Sequence, residues 1–417
     1  MQNKVKKQKA VITGMGVISP LGENVNEYWA NLEQGVSGIG PMTLCDPSEF
    51  PSKIAGEVNT FDPLTYIDKK EAKRMARFSQ MAVAAANLAI ENANITFTKD
   101  ELNRTAVIIG NGNGGFPEIE QNARAQVLKG ETKVSPYFIP MILPNMAAAN
   151  ISRIFGFKGF SSTVVTACAA STQSIGDAAL LINNEMCDIV LAGGCESGIT
   201  KLGLGGFSAL RALSTQNEEP AKASKPFDIN RDGFVPAEGA GMFVIESEGH
   251  AIKRGANILC EIVGMGVSSD AHHPVQPDPS GDGAILSMER ALNNANINNE
   301  EIDYINAHGT STPLNDICET NALKKLFKEH AYKVPISSTK SMIGHVLGGA
   351  GALEGIATVL SIINQKAHPT INLETPDPEC DLNYVPNKSV DVNINYAMSN
   401  NFGFGGQNAS IIFRKPS

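Results

Sequence analysis

The apolar positions of this chain fall in short continuous runs rather than in strict alternation. Ala106 to Ile109, Thr163 to Ala167, Ile189 to Ala192 and Gly241 to Glu246 form one series. Ile302 to Ala307, Pro335 to Ser338, Tyr396 to Ser399 and Ala409 to Phe413 form a second. Short apolar runs bounded by glycines predict strands of sheets covered on both faces by helices. Helices are predicted from near Cys168 and over roughly residues 348–363. Two segments are nearly the same: ITGMGVIS at 12–19 and IVGMGVSS at 262–269. A similar order of elements follows each copy, so the chain reads as a duplicated α/β unit. Its expected halves are 1–253 and 254–417. The stretches at about 25–100 and 110–150 have no counterpart of equal length in the second half. Such extra length suits partner contact or a substrate cap.

Composition narrows the class. The 417 residues exceed what one hydrophobic core usually organises. A net charge of −9 argues against a general nucleic-acid binder. Seven scattered cysteines include no Cys-x-x-Cys pair, which removes zinc-finger and thioredoxin readings. A reducing cytoplasm is the simplest compartment for them. Lys4, Lys6, Lys7 and Lys9 precede AVITGMGVISPLG, but its glycines mark a strand and turn rather than a signal segment. No apolar run of spanning length is expected.

The candidate chemistry starts in STVVTACAASTQSIGDAALLI. A strand delivers Cys168 to the first turn of a helix, among Ala167, Ala169, Ala170 and Ser171. Unpaired N–H groups and the helix dipole there favour a thiolate nucleophile. Taken alone, Cys168 reads equally well as a small buried hydrophobe. His308 and His345 shift that balance. Each sits where a strand ends and the chain turns at glycine, and we read them as equivalent positions of the repeat. Two imidazoles aimed at one oxygen can stabilise the enolate left when a malonyl thioester loses carbon dioxide. In NNFGFGGQNAS, the Phe404 N–H together with that of Cys168 is a candidate oxyanion hole; a tight turn would use the same glycines. GNGNGG at 110–115 follows a strand but lacks the second strand and acid of a dinucleotide site. His272-His273 lacks a third metal ligand, and no metal site is expected. Lys69, Lys70, Lys73, Arg74 and Arg77 fall within about three helical turns. They form either a solvated face or a surface for an acidic partner.

Three motifs, TACAAS, NAHGTSTPLND and SSTKSMIGH, give nearly the whole chain a resemblance to the β-ketoacyl-acyl carrier protein synthases of the thiolase-like superfamily. The resemblance implies a five-layer αβαβα fold, a homodimer and decarboxylative Claisen condensation with malonyl-acyl carrier protein. It implies that Cys168 is acylated, that His308 and His345 serve decarboxylation, and that Lys340 orders the site with Glu354. It makes Phe404 a gate. It assigns Thr310 and Thr312 to the phosphopantetheine arm that the carrier brings, and Phe207, Phe402 and Asn113 to the acyl pocket. It assigns Lys70, Lys73, Arg74 and Arg211 to carrier docking. Asn306, Glu354, Ser399 and Asn400 match positions that hold a buried monovalent cation in some members; a plain hydrogen-bond network fits them equally. No other cofactor is implied.

Relatives differ at identifiable positions. Degradative thiolases have a second cysteine where this chain has Phe404. Type III synthases have Asn where it has His345. Inactive chain-length partners lack the nucleophile. The chain departs from the resemblance at Asn113, Pro236-Ala237, Ile343 and Val275-Gln276. Those departures admit a specialised polyketide or polyene ketosynthase, or a non-catalytic partner subunit, beside fatty-acid elongation.

Overall fold

Ten strands hydrogen-bond into one sheet in the computed structural model, which describes residues 8–130 and 132–416. Lys4, Lys6 and Lys7 lie outside the described residues. The strands are β1 (Ala10–Ile18), β2 (Ala106–Gly110), β3 (Ser161–Val164), β4 (Ile189–Glu196) and β5 (Gly239–Ser247). They continue as β6 (Cys260–Ser269), β7 (Tyr304–Asn306), β8 (Ile336–Ser337), β9 (Tyr396–Gly403) and β10 (Gln407–Arg414). At the centre of the sheet β1 pairs with β6. Outward from there one side runs β1-β5-β4-β2-β3 and the other β6-β10-β9-β7-β8. The two orders are the same permutation, so the topology repeats as the sequence pattern predicts.

Four helices build the layers: α1 (Arg77–Asn92), α2 (Ala170–Asn183), α3 (Asp282–Ala295) and α4 (Ala350–Asn364). Ile175 and Ile182 of α2 and Leu353 and Ile356 of α4 share one core with Ile12 and Ile245 of the first half and Ile411 and Phe413 of the second. A second core sets α1 against Val107, Leu191 and Val244. A third sets α3 against Ile305, Met398 and Ile412. The layers are therefore α1, half-sheet, α2 with α4, half-sheet, α3. Contrary to the sequence expectation, one apolar stretch does reach spanning length. Leu347–Asn364 has a mean hydropathy of 1.4, but 83% of it is buried, as the central layer requires.

The repeated GMG segments explain how close the outer helices come. A Cβ on Gly16 would lie 2.0 Å from the Ala85 carbonyl oxygen of α1, and one on Gly266 would lie 1.9 Å from that of Ser287 in α3. Gly14 and Gly264 meet Ala89 and Ala291 one turn further on, each at 2.4 Å. Strands without side chains at these points let helix backbones pack directly on them. The same pairs recur in both halves.

Three local expectations are corrected. The strand predicted over Thr163 to Ala167 ends at Val164, and Cys168 sits in a 3-10 turn, Ala167–Ala169, ahead of α2 rather than in its first turn. The basic stretch is not one helix of three turns. A single turn, Lys69–Ala72, stops before α1 begins at Arg77. Arg77 leaves the patch altogether: its guanidinium grips the buried Glu238 carboxylate through Nε at 2.8 Å and Nη2 at 2.7 Å.

Gly16→Ala and Gly266→Ala should each lower stability by about 1–3 kcal/mol, the range for overpacking a tight contact. Gly40→Ala, whose Cβ meets nothing within 4 Å, should change it little. Urea unfolding of the three variants checks the prediction.

Candidate active site

After β3 the backbone turns sharply at Ala167, which has a φ of 49°. A non-glycine residue in that region is strained, and the turn lifts the next side chain out of the sheet. That side chain is Cys168. Its small neighbours Ala169, Ala170 and Ser171 are buried beneath it. The second half contains the same elbow: Leu347, with a φ of 47°, opens the 3-10 turn Leu347–Gly349 before α4. The residue in the place of Cys168 there is Gly348.

His308 follows β7 and His345 follows β8, which are neighbouring strands of one half. They are therefore not equivalent positions of the repeat, as the sequence suggested; they converge because their strands pair. Cys168 Sγ and one nitrogen of each imidazole lie within 4.8 Å of one another. His345 Nε2 is 3.1 Å from Sγ. Its Nδ1 accepts the Leu347 N–H at 3.2 Å, so the ring proton belongs on Nε2, facing the sulfur. His308 Nδ1 faces the Lys340 ammonium at 3.2 Å and the Asn401 amide at 3.3 Å. Both partners are donors, so this ring too carries its proton on Nε2. Burial, then the Lys340 charge, holds both imidazoles well below the ordinary histidine value. The site thus presents two neutral N–H donors.

The sequence expectation for the thiol is reversed. Burial pushes Cys168 up to about 11, although the Lys340 charge and the Phe404 N–H pull it down. Lys340 is buried with Glu354, Nζ to Oε1 at 2.5 Å, and donates to the His308 carbonyl at 2.7 Å. The Oε1 contact is an ion pair out of hydrogen-bond alignment. Gly403 brings the last loop close: a Cβ there would lie 3.2 Å from the Cys168 nitrogen. The Cys168 and Phe404 N–H groups thus flank the sulfur.

A cavity of about 360 Å³ opens onto these groups. Cys168, His308, His345, Thr310, Thr312, Phe402, Phe404 and Arg211 line it. Thr310 and Thr312 share a hydrogen bond of 2.8 Å, and the Phe402 ring stands edge-on to His308. Phe207 does not reach this cavity but packs edge-on behind Phe234. Asn113 is outside it as well, with its buried Nδ2 unpartnered. Lys70 and Lys73 are exposed, whereas Arg74 is half-buried and lies over Tyr137; none of the three lines the cavity. Val275 and Gln276 stand in its wall.

The GNGNGG loop has another occupant than a phosphate. The N–H groups of Gly112, Asn113 and Gly348 and the Asn111 amide converge on the buried Glu196 carboxylate. Burial still pushes that acid up to about 7. Sequence reasoning also missed Asp316 and Glu319. Glu319 accepts the His308 and Gly309 N–H groups at 2.8 Å each, and Asp316 accepts that of Thr310 at 3.1 Å. Their three-residue spacing on one helix face was the available signal.

The four cation candidates divide. Asn306 and Ser399 are register partners on adjacent strands, and α4 brings Glu354 to the same face. Asn306 Oδ1 and Ser399 Oγ are buried without hydrogen-bond partners. Asn400 turns to the other face, toward Met288, as strand alternation requires. Three oxygen donors, one a carboxylate, fit a hard cation, with Asn400 able to add only its backbone.

A doubly wound five-layer fold with an elbow cysteine facing two N–H donors defines a thiolase-like condensing enzyme. Residues 7–251 match the β-ketoacyl synthase N-terminal domain, and residues 259–374 match the C-terminal domain. The chain belongs to the β-ketoacyl synthase family. It is 47% identical over 411 residues to the 3-oxoacyl-[acyl-carrier-protein] synthase 2 of Coxiella burnetii, covering 99% of each chain. It is similar in structure to the ishigamide ketosynthase/chain length factor, with a TM-score of 0.92 and 34% identity over 99% of this chain and 100% of that one. A type II PKS ketosynthase in complex with its acyl-carrier protein superposes with a TM-score of 0.91 and 34% identity, over 99% of this chain and 100% of that one.

The raised thiol pKa has a measurable sign. The thiolate fraction of Cys168 should stay below that of a free thiol at neutral pH, so labelling by iodoacetamide should keep rising above pH 9. A rate already level between pH 6 and 9 would instead reveal a standing thiolate–imidazolium pair. Rates followed by peptide mass spectrometry separate the two.

Proposed function

We propose that the chain condenses an acyl thioester held on Cys168 with malonyl-acyl carrier protein, giving a 3-oxoacyl-acyl carrier protein longer by two carbons. It is an acyltransferase of fatty-acid elongation. The observation that carries this reading is Cys168 Sγ at 3.1 Å from an Nε2–H donor, with a second such donor beside it. The higher identity to the 3-oxoacyl synthase, 47% against 34% for the polyketide enzymes, favours elongation over a specialised pathway. The presence of Cys168 favours a catalyst over a partner subunit.

In the first stage Sγ attacks the acyl carbonyl, and the carrier thiol leaves with the proton. The oxygen that becomes negative receives the Cys168 and Phe404 N–H groups. In the second stage the malonyl thioester enters with its carbonyl oxygen between the two Nε2–H groups. The bond to its carboxyl carbon breaks, carbon dioxide leaves, and the electron pair becomes an enolate held by both imidazoles. The enolate carbon attacks the acyl group, and the Cys168 sulfur departs and regains a proton. Burial and then the charge of Lys340, tied to Glu354, favour the neutral histidines, and the donors at Nδ1 of His308 leave its proton on Nε2. Phe404 covers the sulfur as a gate. Thr310 and Thr312 receive the phosphopantetheine arm. Phe402 shapes the acyl space directly, Phe207 backs it through Phe234, and Asn113 stands outside the cavity. Lys70, Lys73, Arg74 and Arg211 dock the acidic carrier.

A monovalent cation would sit at Asn306, Glu354 and Ser399, supported by the unpartnered oxygens of Asn306 and Ser399, and would fix α4 against the sheet. The chain works in the cytoplasm, where its seven free thiols stay reduced. It works as a homodimer. β3 is one of the two edges of the sheet, its outer side unpaired, with Phe160 and Val165 about half exposed beside it. A second copy pairing there would remove that edge and continue the sheet through a two-fold axis.

The purified chain, supplied with acyl- and malonyl-carrier protein alone, should give the two-carbon-extended product by mass spectrometry. Cys168→Ala should lose acylation and condensation together. Elongation that persisted in that variant would overturn the reading. For the dimer, Val165→Asp should shift light scattering from twice the mass of 44.3 kDa toward the monomer.

A further inference from the structure

We infer that Asn401 is a positioning residue that holds His308 in the tautomer decarboxylation needs. The inference rests on the condensing reaction proposed above. Asn401 is fully buried on β9, on the face that looks toward α4. Its amide is held from three sides. Its Oδ1 accepts the Thr172 hydroxyl of α2 at 2.5 Å. Its Nδ2 donates to Glu354 Oε2 at 2.7 Å and faces His308 Nδ1 at 3.3 Å.

The direction of the amide follows from those partners. Thr172 has its hydroxyl proton to give, and Glu354 can only accept while ionised. The oxygen of Asn401 must therefore point to Thr172 and its nitrogen to Glu354 and His308. A second donor, Lys340 Nζ, meets the same His308 nitrogen at 3.2 Å. With donors on both sides, Nδ1 is kept as an acceptor and the ring proton is kept on Nε2, toward the cavity. Lys340 divides its donors among Glu354, the His308 carbonyl and this nitrogen. Asn401 is the fixed partner, locked to α2 and α4 through Thr172 and Glu354. It does not line the cavity, and it reaches the reacting groups through His308 Nδ1 and through Glu354, the partner of Lys340.

Asn401→Asp tests this, because it puts an acceptor where the ring now meets a donor. Nitrogen NMR of histidine-labelled protein, with His308→Gln assigning the signal, reads the tautomer directly. Wild type should show Nε2–H for His308, and Asn401→Asp should move the proton to Nδ1. Acyl loading of Cys168 from acyl-carrier protein should stay within about threefold of wild type. Decarboxylation of malonyl-carrier protein should fall by about 100-fold, the scale of a misdirected proton donor. Thr172→Val keeps the side-chain shape and frees Oδ1. It should lower decarboxylation by a smaller factor with loading again intact, and it guards against misfolding of the first variant. An unchanged tautomer in Asn401→Asp, or equal losses in loading and decarboxylation, would overturn the inference. Wild type that loads but never decarboxylates would instead fail the condensing reaction itself.

Discussion

One buried ion pair organises the chemistry. Lys340 and Glu354 are almost wholly shielded from water and meet at 2.5 Å. Removing two charges from water is expensive, and their attraction offsets that cost only when their remaining bonds are filled. Here most are filled by the site: the His308 carbonyl and imidazole take Lys340, and Asn401 takes Glu354 Oε2, while Oε1 has the ion pair alone. Burial, helped by the Lys340 charge, holds both imidazoles well below the ordinary histidine value, and the same charge draws the buried thiol downward. Replacing either partner alone would leave an uncompensated charge among three reactive groups.

The pair also joins the layers. Lys340 follows β8, Glu354 lies in α4, His308 follows β7 and Asn401 lies in β9. Their contacts require the central helices to sit at one depth on the sheet. That depth is set by close backbone approaches such as Gly351, where a Cβ would lie 2.0 Å from the Thr172 hydroxyl of α2. Packing in the middle layer and proton placement in the site are therefore the same constraint seen at two scales.

How much of this was legible in the sequence depended on whether the signal was local. The duplication was legible because Gly14, Gly16, Gly264 and Gly266 each require the same helix contact. Cys168, His308 and His345 were legible because strand ends and small residues announce an elbow or a loop. What the thiol would do was not legible. Helix-end electrostatics can be read from a motif, but the burial that outweighs them is produced by distant residues. Arg77 was misread for the same reason: its neighbours are basic, while its partner Glu238 lies 161 residues away. Asn401 passed unnoticed within a glycine-rich turn, since its role exists only once α2 and α4 are packed. The two histidines were misread as repeat equivalents because sequence order cannot tell adjacent strands of one half from matching strands of two.

Duplication of the elbow has a further outcome. The second elbow has the same backbone, with Leu347 standing where Ala167 stands, but carries glycine in place of the nucleophile. A Cβ on Gly348 would fall 2.3 Å from the Gly112 nitrogen, so no side chain fits there. The Gly348 N–H is instead used to hold Glu196, binding the two halves together. Of the two like turns, one presents the thiol and the other serves as a clasp. A chain built twice from the same plan can consequently form only one acyl-enzyme, and every acyl chain it extends must first be held on that single sulfur.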